Sequence, residues 1–444
     1  MTTRVIIVRH GQSTFNAQGM IQGRCDESTI TAKGEQQAKL LGETLQEVEL
    51  SAFYCSPLQR ANKTAQIIQQ LNKHQPELVV AEKLREVNLP EWEKWKKDDV
   101  KKEYGEQYHT WKEKPHQLSM KYEGKQIYPV LDLYEQAKEF WSEVIPKHKG
   151  GTILITAHNG INRCLILTAL GMDASRYHTL QQSNCCINVL NFTGDFGDPV
   201  QLESLNQTSH LGMPIPDFRP DQKQGLRLLL VRHGETEWNR MSRFQGIKDI
   251  PLNDNGRAQA QKAADFLKDT TIDFAVSSHL SRPKETGEII LQYHSDIDIK
   301  TEKDLEEISH GLWEGKLEAE IEADFPGLLA EWKAKPETVQ MPEGENLDQV
   351  WERAIRSWLK VVEENLEEGK QKTGLVTAHD AINKVIICYL LGLETANFWN
   401  IKQGNGAVTV IDYPKGLDGL PILQAINITS HLGGVFDKTA AGAL

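Results

Sequence analysis

The sequence predicts an α/β protein made of two homologous tandem units, each a mainly parallel sheet covered on both faces by helices. Three observations predict it. Short apolar runs of strand length alternate with amphipathic stretches of helical length, the pattern of parallel strands joined by helical crossovers. The motif VRHG occurs twice, at residues 8–11 and 231–234, each time directly after such a run. Matched positions recur at a nearly constant spacing: His10 and His233 lie 223 residues apart, Arg60 and Arg282 lie 222 apart, and Glu86/Glu307, His158/His379 and Thr208/Thr429 all lie 221 apart. The length of 444 residues agrees, because single cores rarely grow past about 250–300 residues.

Taken in order, RVIIV at residues 4–8 reads as a buried strand and residues 31–46 as an amphipathic helix. Residues 52–56 form a second strand, 59–71 a second helix and 77–80 a short strand. Residues 151–159 read as a strand running into a helix at 161–170. The second unit repeats the strands at 227–231, 273–278, 297–300 and 374–380. The expected domains are residues 1–211 and 226–444, joined by a linker at 212–225 whose three prolines stop any periodic element. So short a linker implies that the units pack together as an internal pseudo-dimer; the oligomeric state beyond that stays open.

Composition is that of a globular enzyme, with 39% hydrophobic and 25% charged residues. A net charge of −12 argues against nucleic-acid and anionic-membrane partners, which need a basic face. No apolar run is long enough to span a bilayer, and no leader precedes the first strand, so a cytoplasmic location is expected. The six cysteines form no spaced framework and read as free thiols in a reducing compartment.

His10, Arg60, Glu86 and His158 all follow the carboxyl ends of predicted strands, the edge where such sheets bind ligands. Arg9 and Arg60 can hold phosphoryl oxygens through forked charge-assisted hydrogen bonds, and a protonated His158 can add another donor. A neutral His10 can attack phosphorus, and Glu86 can protonate the leaving oxygen and then activate water. The scheme needs no metal and no cofactor, and no phosphate-cradling Gly-rich loop with lysine supports an NTPase. Read singly, each residue would be an ordinary structural group; the same set in the same order in both units is what makes it a candidate site. The cysteines, and Trp92, Trp95 and Trp111, read instead as core or cap packing.

These residues and motifs, RHGQSTFN, SPLQRANKTA, LREV and TAHN in the first unit and RHGETEWN, SSHLSRPKET, LEEISHGLWEG and TAHD in the second, resemble the histidine phosphatase superfamily. The resemblance implies the phosphoglycerate mutase-like three-layer α/β/α sandwich in both units. It implies His10 and His233 as phosphorylated nucleophiles and Glu86 and Glu307 as proton donors. Arg9, Arg60, His158, Arg232, Arg282 and His379 become the phosphate pockets. Asn16, Gln22, Gly23, Asn239, Gln245 and Gly246 become residues that approach the substrate. No metal is implied, and the expected partner is a small phosphate ester.

The first unit is similar in more detail to the two-domain plant phosphatases of 2-carboxy-D-arabinitol 1-phosphate, through RHGQSTFNAQGMIQG, LREVNL and LQQSNCCINVLNF. That similarity implies a sugar-acid phosphate as the favoured substrate, with relief of Rubisco inhibition as the consequence. The rivals are a phosphoglycerate mutase, a broad-specificity sugar phosphatase and a sugar-phosphate-binding regulator without turnover. Residues 94–128, between the candidate glutamate and second histidine, hold nine lysines against six acids, whereas residues 315–350 hold three against nine. The two caps are therefore expected to favour different ligands. Pro90 and Lys94 stand where the second unit has Gly311 and Gly315, which predicts a different loop path after the glutamate.

Overall fold

A computed structural model describes residues 2–218, 225–294 and 296–439. The chain divides into two compact units, Met1–Met213 and Pro214–Leu444. Of the expected linker at 212–225, residues 219–224 lie outside the described residues. The residues ahead of them are built into the second unit. Ile215 packs against its core, the Pro216 carbonyl accepts from Arg227 Nη1 at 2.8 Å, and the Phe218 ring lies 3.7 Å from the Arg227 guanidinium.

In the first unit the strands lie in the order Val200–Gln207, Ile187–Phe192, Thr3–Arg9, Thr152–Ala157, Ala52–Cys55 and Leu78–Val80. The last four run parallel; the first two extend the sheet antiparallel. The second unit has the same order and senses, from Ile422–Ile428 through Val408–Tyr413, Gly225–Arg232, Gln371–Ala378 and Phe274–Ser278 to Ile299–Glu302. Val5, Ile6, Ile7 and Val8 are all fully buried, which is why the first strand reads as an unbroken apolar run: helices cover both of its faces.

Those helices pack in pairs, Ala32–Thr44 with Gln59–Leu71 and Pro129–Val144 with Asn159–Ala169, completing the three-layer α/β/α arrangement. Thr31 starts the first of them by accepting the Gly34 amide at 3.1 Å. Gln59–Leu71 turns Ala61, Ala65 and Ile68 inward at helical spacing. The predicted strand at 151–159 ends at Ala157, and Asn159 already begins the next helix with His158 as its N-cap. No helix among the described residues is long and apolar enough to cross a membrane. All six cysteines are free and buried.

Candidate active sites

Strand register brings the two histidines of each unit together. Val8 pairs with Thr156 and Arg9 with Ala157, so the next residues of the two parallel strands are His10 and His158. The His10 amide closes the pair on the Ala157 carbonyl at 3.0 Å, and the rings lie 5.1 Å apart. In the second unit Ala378 pairs with Arg232, and the His233 and His379 rings lie 5.2 Å apart. Gly11 is required by backbone contact: a Cβ there would lie 3.0 Å from the Gly34 Cα. Gly234 and Gly256 repeat that approach.

The nucleophile candidates are held in one tautomer. His10 Nδ1 lies 2.7 Å from the Gly11 carbonyl, and His233 Nδ1 lies 2.7 Å from the Gly234 carbonyl. A carbonyl only accepts, so Nδ1 carries the proton and Nε2 keeps its lone pair. Burial, reinforced by the charges of Arg9 and Arg60, holds His10 well below the ordinary histidine range. Burial with Arg282 and Arg232 does the same to His233. Both imidazoles are therefore neutral near pH 7. Arg282 Nε donates to His233 Nε2 at 3.3 Å, which points the guanidinium at the nitrogen that would attack.

All four arginines are anchored by backbone carbonyls, and Arg232 is paired with the Asp380 carboxylate as well. Arg60 reaches the Cys25 and Gly23 carbonyls at 2.9 Å each, and Arg282 reaches those of Lys248 and Gly246 at 2.8 Å each. Arg9 is fixed on the Gln182 carbonyl at 2.8 Å, Arg232 on that of Gln403 at 2.6 Å. Burial lowers Arg282 to about 10, still cationic at neutral pH. His158 departs from the expected protonated donor: burial first, then Arg60, His10 and Arg9, keep it neutral. Its Nε2 meets the Ser56 hydroxyl at 2.7 Å, and its buried Nδ1 has no hydrogen-bond partner. His379 repeats this with Ser278 at 2.9 Å.

The glutamates sit on a helix N-terminus. Glu86 accepts from Gly160 N at 3.0 Å and Ile161 N at 3.1 Å, two of the free amides that open the helix after His158. Glu307 accepts from Ala381 N at 3.2 Å, and burial, followed by the charge of Asp380, holds its carboxyl above the usual range. The exchange of Gly160 for Ala381 is compensated nearby. A Cβ on Gly160 would lie 2.5 Å from Glu86 Oε1 and would overlap the Tyr177 hydroxyl; the second unit has Phe398 at the position matching Tyr177. Gly160→Ala is therefore expected to cost about 1–3 kcal/mol in thermal or denaturant unfolding by overpacking. Adding Tyr177→Phe should recover most of that loss; an unchanged deficit in the double variant would refute the compensation.

Among the residues expected to approach substrate, Gly23 and Gly246 act through their carbonyls on Arg60 and Arg282. Gln22 accepts from the Ser13 hydroxyl at 2.7 Å, and Gln245 pairs with Thr236. Asn16 and Asn239 close the short helices after the RHG turns as capping-box partners of Ser13 and Thr236. Arg232, His233, Asn239, Gln245, Gly246, Arg282 and Glu307 line one cleft together.

Several residues escaped the sequence reading. Asn184 and Asn405 donate to the His10 and His233 carbonyls at 2.9 and 3.2 Å. Thr64 and Thr286 receive the Gly11 and Gly234 amides at 3.1 Å. Both pairs recur at the repeat spacing, so comparison of the two units could have found them. His310 also lines the second cleft, fully buried with both ring nitrogens unpartnered; the first unit has Leu89 at the matching position.

The loop after the glutamate is more alike in the two units than expected. Lys94 takes the left-handed conformation of Gly315, φ 70° against 86°, so the paths differ at Pro90 and Gly311 but not there. Trp92 is buried against Tyr104 and Trp111, at 6.3 and 6.1 Å, as cap packing. Trp111 in turn lies 5.4 Å from Tyr177, which seats the first unit's cap behind Glu86.

A sequence profile described as the histidine phosphatase superfamily (branch 1) matches residues 5–206 and again 228–424. A protein of Triticum aestivum named 2-carboxy-D-arabinitol-1-phosphatase is 32% identical over 442 residues, covering 97% of this chain and 86% of its own. Phosphoserine phosphatase 1 of Hydrogenobacter thermophilus is 31% identical over 208 residues, 47% of this chain and 95% of that one. The native structure of a mycobacterial glucosyl-3-phosphoglycerate phosphatase is 27% identical, covers 45% of this chain and 98% of its own, and superposes with a TM-score of 0.42.

Proposed function

We propose, from the premise that the chain belongs to the histidine phosphatase superfamily, that this phosphatase is a metal-independent phosphomonoesterase working through a phosphohistidine in each unit. One observation carries the reading: each unit holds a neutral histidine with an unprotonated Nε2 beside two anchored arginines and a glutamate.

In the first step His10 Nε2 forms a bond to phosphorus while the ester oxygen leaves and takes a proton from Glu86. Arg9 and Arg60 balance charge on the equatorial oxygens, already held in place and so costing no reorganisation. The unpartnered Nδ1 of His158 is available to the same oxygens. Ionised Glu86 then takes a proton from water, which attacks the phosphohistidine and releases inorganic phosphate and free His10. His233, Arg232, Arg282, His379 and Glu307 would repeat the cycle in the second unit.

For the first unit we favour 2-carboxy-D-arabinitol 1-phosphate or a related sugar-acid phosphate. The 32% identity to the wheat protein across nearly the whole chain supports this, as does the lysine-rich cap at 94–128. The test is phosphate release from a panel of sugar phosphates by the single variants His10→Ala and His233→Ala. Sugar-acid phosphate hydrolysis should vanish with His10→Ala and survive His233→Ala. The reverse pattern would overturn the assignment, and release only in the presence of a bisphosphate primer would favour a mutase.

A further inference from the structure

The histidines, arginines and glutamates of the two sites match, but the residue after the second histidine differs in charge, Asn159 in the first unit and Asp380 in the second. Asp380 is 1% exposed. It forms an ion pair with Arg232 Nη1 at 3.1 Å and a second with Lys384 Nζ at 2.6 Å. Part of the phosphate-site arginine is thereby neutralised from inside the protein. Asn159 brings no charge, and its amide reaches the Gln182 carbonyl at 3.4 Å, the same carbonyl that anchors Arg9.

One helical turn further on, Arg163 stands where the second unit has Lys384. It is buried, donates to His178 Nδ1 at 3.2 Å and lies over the Tyr177 ring at 5.2 Å. Among the described residues, no carboxylate forms an ion pair with Arg9 or Arg163. The first site thus sets Arg9, Arg60 and Arg163 against Glu86, whereas the second sets Arg232, Arg282 and Lys384 against both Glu307 and Asp380. The charge of Asp380 is also felt by the second site's proton donor, Glu307, whose carboxyl is held above its usual range by burial first and by Asp380 next.

We propose that this position selects substrate charge: with Asn159, Arg9 and Arg163 have no carboxylate paired with them among the described residues, and their excess positive charge favours a second anionic group such as a carboxylate beside the phosphate, whereas Asp380 offsets that charge in the second unit. The inference rests on the phosphatase reading and identifies the substrate class of each site. Asn159 and Asp380 act through the arginines and are positioning residues.

The test uses the full-length chain with one nucleophile replaced, His233→Ala to read the first unit and His10→Ala to read the second. The measured quantity is kcat/KM for 3-phosphoglycerate, which carries a carboxylate, relative to that for 4-nitrophenyl phosphate, which carries none. Asn159→Asp should lower this ratio roughly tenfold, mainly through KM, and Asp380→Asn should raise it by a similar factor, as expected for one charge close to the ligand in a poorly solvated site. The neutral change Asn159→Ala should move it little. Ratios that stay put in both charge variants, or that shift as far with Asn159→Ala, would overturn the proposal. Calorimetric binding of phosphonoacetate against methylphosphonate reads the same ratio without turnover. An enzyme that binds these with the predicted selectivity but releases no phosphate would refute the phosphatase reading alone.

Discussion

Replacing His10 and His233 together by alanine should abolish turnover and eliminate any acid-labile phosphoenzyme, the largest effect expected in this chain. His158 and His379 have Nε2 engaged by Ser56 and Ser278, and the six cysteines are all buried. Where burial shifts are resolved, at Cys55, Cys164, Cys185, Cys186 and Cys388, the thiols are pushed further from ionisation, so none is an alternative thiolate nucleophile. Positioning and charge alone, which the double variant retains, would still bind phosphate. Inorganic phosphate affinity measured alongside turnover therefore separates loss of the nucleophile from loss of the pocket. Substantial residual activity in the double variant would end the covalent scheme.

Glu86→Gln ranks second, with sugar phosphate hydrolysis in the first unit falling by about 10²-fold or more, the usual scale of general acid catalysis. The amide keeps one acceptor oxygen, enough for only one of the Gly160 and Ile161 amides, which bind different oxygens of Glu86, and it cannot deliver a proton. An activated aryl phosphate, whose leaving group needs little protonation, should lose much less. Read in a His233→Ala background, equal losses on both substrates would mean that Glu86 acts on the water step or only holds the helix N-terminus.

The sheet and the candidate site residues were legible for the same reason. Strands buried on both faces, such as Thr3–Arg9 and Gly225–Arg232, leave unbroken apolar runs, and chemistry at a parallel sheet's edge must follow those runs directly. The antiparallel strands Ile187–Phe192 and Val200–Gln207 carry Asn188, Asn206 and Gln207 as buried polar groups, so their sequence does not read as apolar strand. Those polar groups are satisfied only in three dimensions, as when Asn188 bonds the Ile7 carbonyl at 2.9 Å. The neutrality of His158 was hidden too, because it depends on burial next to two arginines far away in sequence. Residues 214–218 read as linker by their prolines, yet Phe218 and Pro216 are held by Arg227, a contact that composition does not reveal. Asn159 and Asp380 differ by a single letter of the motif, and only the ion pair with Arg232 gives that letter a consequence.

Turnover through the two histidines should leave a phosphoryl group on a defined nitrogen. Rapid acid-free quenching during turnover of a phosphorus-labelled ester, followed by peptide mapping and ³¹P NMR, reads it directly. Base-stable, acid-labile label is expected on the peptides carrying His10 and His233, attached at Nε2, because Nδ1 is committed to the Gly11 and Gly234 carbonyls. Label on Nδ1, label on any other side chain, or steady turnover with no phosphoenzyme at any quench time would contradict it.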